Sequence, residues 1–269
     1  MPSIEQPRFA LVFLALVWAA LCLVRLTGPF DLMDKDRDQE KPAAYVLDAV
    51  RNGEWLVQRS AFGEPTSKPP LYTWLAAAGV LANGGELSRW AMALPSALSV
   101  LGVTLLVYGL GRRFFGAYAG FWAALFYVVS NTSYRQLALF RTDPLFVLTV
   151  FGALALAYFG WRHRSARAWL GFWLVAALAT LTKGPLGPLL AAGGFLARAW
   201  DRRSTLPVGP PPGPPRRMWP VHLGGAALFC VLTFGWFGAA VWEGGQAVID
   251  HMLGRELVGH AVGGGFEAL

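Results

Sequence analysis

LYTWLAAAGVLA, running from Leu71 to Ala82, is the stretch on which the threading of this chain turns. At ~1.5 Å per residue a helix over it rises only ~18 Å, well short of the ~30 Å of hydrocarbon in a bilayer. Tyr72 and Trp74 are residue types that favour the membrane interface. The stretch therefore reads as a helix lying along the membrane rather than through it.

Outward from there, apolar runs of spanning length cover residues 9 to 27, 89 to 111, 117 to 133, 144 to 161, 168 to 182, 185 to 200 and 219 to 241. With 55% hydrophobic and 14% charged residues, and no strand-like alternation in these runs, the composition describes an all-α polytopic membrane protein and excludes a barrel. Arginine supplies an independent check on the count. Leaving the Leu71 run out of the bilayer puts Arg8, Arg112, Arg113, Arg162, Arg164, Arg167, Arg198, Arg202, Arg203, Arg216 and Arg217 on one side, opposed only by Glu5 and Asp201. Counting it as a span splits the arginine-rich loops between both faces. Because Lys and Arg accumulate in short cytoplasmic loops, the consistent expectation is seven transmembrane helices with the amino terminus inside.

The net charge of +7 is then topology and calls for no nucleic acid. Phe9 to Leu26 lacks a small-residue cleavage site and reads as an uncleaved first span. Cys22 and Cys230 both fall in predicted spans, which supports neither a disulfide framework nor a metal cluster. Residues 1–269 are expected to form one transmembrane module. Its parts are an external loop with interfacial helices at 28–88, a cytoplasmic linker at 201–218 containing the proline run Pro207 to Pro215, and an external tail at 242–269.

The external loop holds the chemistry. Between Asp31 and Lys68 it carries eight acidic and six basic side chains, ending in Lys68, Pro69 and Pro70. Pro42 suits the first turn of a helix whose apolar positions are Ala43, Val46, Leu47 and Val50, with Gly53 as its stop. Asp34, Asp36, Asp38 and Glu40 precede that helix, where backbone N–H groups favour negative charge. Taken singly, each acid is accounted for by helix capping and solvation of an exposed loop.

The ordered set of motifs adds to this. It runs Asp38, Gln39, Glu40, Lys41, Pro42; Gly53, Glu54, Trp55; Lys68, Pro69, Pro70, Leu71, Tyr72, Thr73, Trp74; Arg89; Asp143, Pro144; Thr182, Lys183, Gly184; and Trp236, followed by Glu256. It resembles the amino-terminal half of GT-C membrane glycosyltransferases of family 39 type, which include lipid A aminoarabinose transferases and protein O-mannosyltransferases. That resemblance implies a GT-C-like module moving a sugar from a polyprenyl phosphate to a hydroxyl or phosphate acceptor on the external, periplasmic face of a bacterial-type inner membrane, usually with inversion.

By position in the family motif, Asp38 is the general base. Such a base takes the acceptor proton as the oxygen attacks the anomeric carbon, a role worth ~10² to 10⁴ in rate. Members of the family often carry a second acid directly after this aspartate. Here Gln39 stands there and Glu40 follows, which leaves the base open to Asp36 or Glu40. Lys68 and Lys183 are assigned to the leaving phosphate, whose growing negative charge fixed cations stabilise, although Lys183 also suits a cation snorkelling from a span end. Arg59 and Arg89, with Arg135 and Arg141, are further phosphate contacts or plain interfacial anchors. Asp143, at the mouth of a span, is costly there unless paired or functional. It is expected to hold Arg141 or Lys183, or to help position Asp38.

The four histidines show no metal-ligand spacing, and the external acids leave room for a divalent cation without requiring one. The chain stops just beyond its seventh run, whereas such enzymes usually continue, so it reads as a fragment or a compact version. Two other classes fit an external polar site on a membrane protein: a transporter of lipid-linked solutes and a non-catalytic isoprenoid-lipid-binding module. The former predicts mid-span charges and related halves, and the sequence shows neither.

Overall fold

The computed structural model describes residues 5–27, 39–195 and 217–252. They form helices α1 (Pro7–Leu26), α2 (Glu40–Leu47), α3 (Leu71–Ala82), α4 (Arg89–Phe115), α5 (Ala117–Val129), α6 (Asn131–Gln136), α7 (Thr142–Arg162), α8 (Ala166–Lys183), α9 (Leu186–Ala191), α10 (Trp219–Gly244) and α11 (Gln246–Ile249). No strand occurs among the described residues beyond an isolated antiparallel bridge between Arg59 and Pro65. Asp38, most of the linker and most of the external tail lie outside the described residues.

Helices α1, α4, α7 and α10 are long and apolar enough to cross a membrane. The remaining predicted spans are helical but shorter. Helix α8 has 18 residues with Arg167 near its start and Lys183 at its end, α5 has 13, and α9 has 6. The run predicted to continue to residue 133 breaks at Ser130, whose side chain accepts from the backbone N–H of Ser133 at 3.2 Å and starts α6 instead.

Contacts group the chain into two units, one of residues 1–52 and 72–148, the other of residues 53–71 and 149–269, with the boundary inside α7. In the first unit α1 packs on α4 and α5 through Ala10, Leu14, Tyr108, Phe121 and Ala124, and Trp18 Nε1 donates to Ala97 O at 2.8 Å. Such small and aromatic contacts suit helices in lipid, where close packing and interhelical hydrogen bonds, more than solvent exclusion, hold them together. Ser88 caps α4, accepting from Ala91 N at 3.3 Å. Helix α2 starts at Glu40, two residues ahead of Pro42. It buries the expected Ala43 and Val46 and passes into one π-helical turn, Asp48–Asn52, before Gly53.

In helix α3, Tyr72 is 2% exposed and buried along with Thr73, Ala76, Ala77, Gly79 and Val80, its hydroxyl 3.2 Å from Met92 O and 3.1 Å from Ser96 Oγ of α4. The aromatic type signals amphipathy, and here the hydroxyl finds its partners inside the protein.

In the second unit α8 packs against α10 and α9 around Ala153, Ala157, Trp169, Phe172, Ala176 and Ala191. A smaller cluster of Val57, Ala240, Val248 and Met252 ties residues of the 53–71 loop to the far end of α10.

Candidate functional site

The second unit builds a cavity from three pieces of chain. The loop before α3 is pinned from within. Buried Gln58 donates through Nε2 to Trp55 O at 2.6 Å and Glu54 O at 3.1 Å, and its backbone carbonyl accepts from Thr66 N at 2.8 Å. Buried Thr66 then fixes the backbone of Lys68 on both sides: its hydroxyl donates to Lys68 O at 3.0 Å and accepts from Lys68 N at 3.2 Å. Pro69 and Pro70 follow, with no N–H to seek other partners. The backbone of Lys68 is held while its side chain stays exposed.

Lys183 closes α8. Gly184 follows at φ 69° and ψ −149°, a conformation essentially restricted to glycine. Its N–H donates to Thr180 O at 2.8 Å. The turn folds α9 back so closely that a Cβ on Gly187 would lie 2.7 Å from the backbone of Ala179 and Thr180. Thr182 beside it is fully buried and bonded to Leu178 O at 2.7 Å, which leaves Thr180 and Lys183 as the half-buried polar residues of the last turn.

These elements enclose a cavity of about 860 Å³ to which Lys68 and Lys183 both contribute. Its other walls are mainly apolar: Leu186 and Leu189 of α9, Phe229, Phe234 and Phe237 of α10, and Met252. Thr233 and Trp236 also line it, and the Trp236 indole nitrogen is buried without a hydrogen-bond partner. Two cations set in an apolar hollow suit an amphiphilic anion, since a charge near low-dielectric walls acts more strongly than one in water. Trp236 belongs to the motif set, but Phe229, Phe234 and Phe237 of α10 were not singled out from the sequence, because on an all-apolar helix nothing distinguishes a cavity wall from a lipid-facing side.

The other expected residues fall elsewhere. Arg59, in the same unit, is exposed, donates from Nη1 to Gly63 O at 3.3 Å, and is not among the residues lining the cavity. Glu40, Arg89 and Asp143 belong to the first unit. Glu40 is the exposed first residue of α2, while Arg89 opens α4 and is half-buried. Asp143 is half-buried in the first turn of α7, where the helix dipole favours its charge.

Comparison with known proteins agrees with this architecture. An uncharacterized protein of Aquifex aeolicus (strain VF5) is 27% identical over 200 residues, 74% of this chain and 42% of that protein. The crystal structure of ArnT from Cupriavidus metallidurans bound to undecaprenyl phosphate superposes with a TM-score of 0.69 at 22% identity, covering 93% of this chain and 43% of ArnT. The apo form of the same protein matches equally, with a TM-score of 0.69 at 20% identity over 90% of this chain. The chain thus shares the ArnT fold and spans less than half the length of these relatives. Residues 67–208, just over half of the chain, match the family described as Dolichyl-phosphate-mannose-protein mannosyltransferase. The matched segment takes in the Lys68 loop, α8 and the Lys183 turn, and this chain, with helices long and apolar enough to cross a membrane, belongs to that family.

Proposed function

We propose that this protein takes part in transfer of a sugar from a polyprenyl phosphate to a hydroxyl or phosphate acceptor on the external face of a bacterial-type inner membrane. The convergence of Lys68 and Lys183 on one apolar cavity carries the reading. An isoprenoid chain needs an apolar trough, and its phosphate needs cations at the point where the leaving group gathers charge. The ArnT relative holds undecaprenyl phosphate, which makes a lipid phosphate the natural occupant to test.

In this mechanism Lys68 and Lys183 bind the donor phosphate and stabilise it as the glycosidic C–O bond breaks. Asp38 removes the acceptor proton as the new bond forms, with Glu40 and Asp143 as supporting acids and Arg59 and Arg89 as outer cations drawing the lipid phosphate in. The transferred proton stays on the carboxylate until solvent takes it. The roles of the acids rest on motif position, and Asp38 lies outside the described residues.

The test is turnover of a polyprenyl-phosphate sugar by the purified membrane protein and by its Asp38→Asn and Lys68→Ala variants. The proposal expects wild-type transfer and loss in both variants. Full activity in both removes the mechanism. Binding of the lipid without any turnover favours the lipid-binding module.

A further inference from the structure

Three buried polar side chains from distant parts of the first unit converge on one short piece of backbone. Gln39, Tyr72 and Ser96 are 8%, 2% and 0% exposed. Gln39 precedes α2, Tyr72 lies in the first turn of α3, and Ser96 is within α4. Gln39 and Ser96 bond the segment Leu139 to Arg141, which is neither helix nor strand and leads directly into α7, and Tyr72 OH stands behind Ser96 at 3.5 Å from Leu139 O.

Proton counting gives the bonds a direction. Each hydroxyl has one proton to donate. Ser96 Oγ lies 2.7 Å from Leu139 O and 3.3 Å from Arg141 O, so its proton goes to Leu139. Tyr72 OH, at 3.1 Å from Ser96 Oγ and 3.2 Å from Met92 O, donates to one of these and leaves the Ser96 proton committed. Burial pushes the Tyr72 phenol far above the ordinary tyrosine range, which keeps it a neutral donor. On the next residue the N–H of Phe140 donates to Gln39 Oε1 at 3.3 Å.

Irregular buried backbone needs partners, and a purely structural clamp would supply them. Its location adds more, because the held segment ends two residues before Asp143. A carboxylate at a helix start takes its direction from the backbone that feeds it. We infer that Gln39 and Ser96, the latter backed by Tyr72, are positioning residues that clamp the Leu139–Arg141 backbone and thereby set the Asp143 carboxylate for the transfer reaction. This rests on the proposed reaction with Asp143 among its acids.

The experiment compares Ser96→Ala, Gln39→Met and Gln39→Glu with wild type in the whole protein, following kcat, donor KM, melting temperature and carbodiimide labelling of Asp143. The clamp predicts that Ser96→Ala and Gln39→Met lower kcat about 10-fold, within the ~10² that a 1 Å misplacement costs. Donor KM stays unchanged, and the Asp143 labelling rate shifts in both. Gln39→Glu, which keeps an acceptor oxygen for Phe140 N–H, retains the wild-type values. Unchanged kcat and labelling in Ser96→Ala and Gln39→Met overturn the inference, as does a loss that follows melting temperature alone or that Gln39→Glu shares. Shifted labelling in a protein with no turnover at all supports the clamp and overturns the transfer reaction instead.

Discussion

Lys68 and Lys183 line an apolar cavity from a loop and a helix end whose backbones are placed by Thr66 and Gly184, whereas Asp143 follows a segment bonded by the buried side chains of Ser96 and Gln39. The contrast follows from what each group has to do. A lysine ammonium is a compact point charge on a flexible stem, so it can find a phosphate once its backbone is placed. A carboxylate meant to take or orient a proton needs a fixed direction, and direction comes from the backbone beneath it. The lysine end accordingly uses a threonine bridge and a glycine turn. The acid end uses a connected set of buried hydrogen bonds.

Each side of this contrast can be broken separately. The largest effect is expected at the proposed base, where Asp38→Asn lowers turnover by ~10² to 10⁴ while lipid binding persists. Radiolabelled sugar transfer beside a binding isotherm checks it, and retained transfer moves the base to Asp36 or Glu40. Next comes the Lys183 turn. Gly184→Ala forces a Cβ into a conformation reserved for glycine and is expected to cost ~1–3 kcal/mol, read as a lowered melting temperature with weaker donor binding. An unchanged melting temperature would show that the turn relaxes freely.

Smaller effects sharpen the same picture. Lys68→Ala and Lys183→Ala are each expected to weaken polyprenyl-phosphate binding about 10-fold, the ~1.4 kcal/mol at the low end for one hydrogen bond to a charged group. Thr66→Val removes the hydroxyl that bridges Lys68 O and N. About 1 kcal/mol of stability goes with it, together with a small loss of donor affinity that Lys68→Ala should mask. Additive losses in the Thr66→Val, Lys68→Ala pair would separate the bridge from the lysine it is argued to place.

Bilayer thickness imposes a length on spans, and four of the seven apolar runs, now α1, α4, α7 and α10, are helices long and apolar enough to cross, while the other three are shorter helices, one of them broken at Ser130. Helix α3 was legible for the opposite reason, its shortness, and its 12 residues match the expected stretch end to end. Lys68 and Lys183 could be named from motif and topology. They were expected at one lipid phosphate and line one cavity, but the means were not legible: Gly184 turning the chain and Gly187 letting α9 lie against α8. The partners of Tyr72 were not legible, because an aromatic hydroxyl marks amphipathy without saying whether water or protein satisfies it. Ser96 gave no signal at all. Its partners are backbone carbonyls more than forty residues away, and a lone serine in an apolar helix looks the same with or without them. Gln39 was noticed as a departure from the family motif. Its hydrogen bond to Phe140, 101 residues on, gives that position a structural role.

The most direct measurement is the affinity of the protein for a polyprenyl phosphate and for the matching uncharged polyprenol, in wild type and in the Lys68→Ala, Lys183→Ala double variant. The account predicts that wild type prefers the phosphate and that the double variant loses the preference while still binding the alcohol through the apolar walls. Equal preference for the phosphate in both proteins would contradict it.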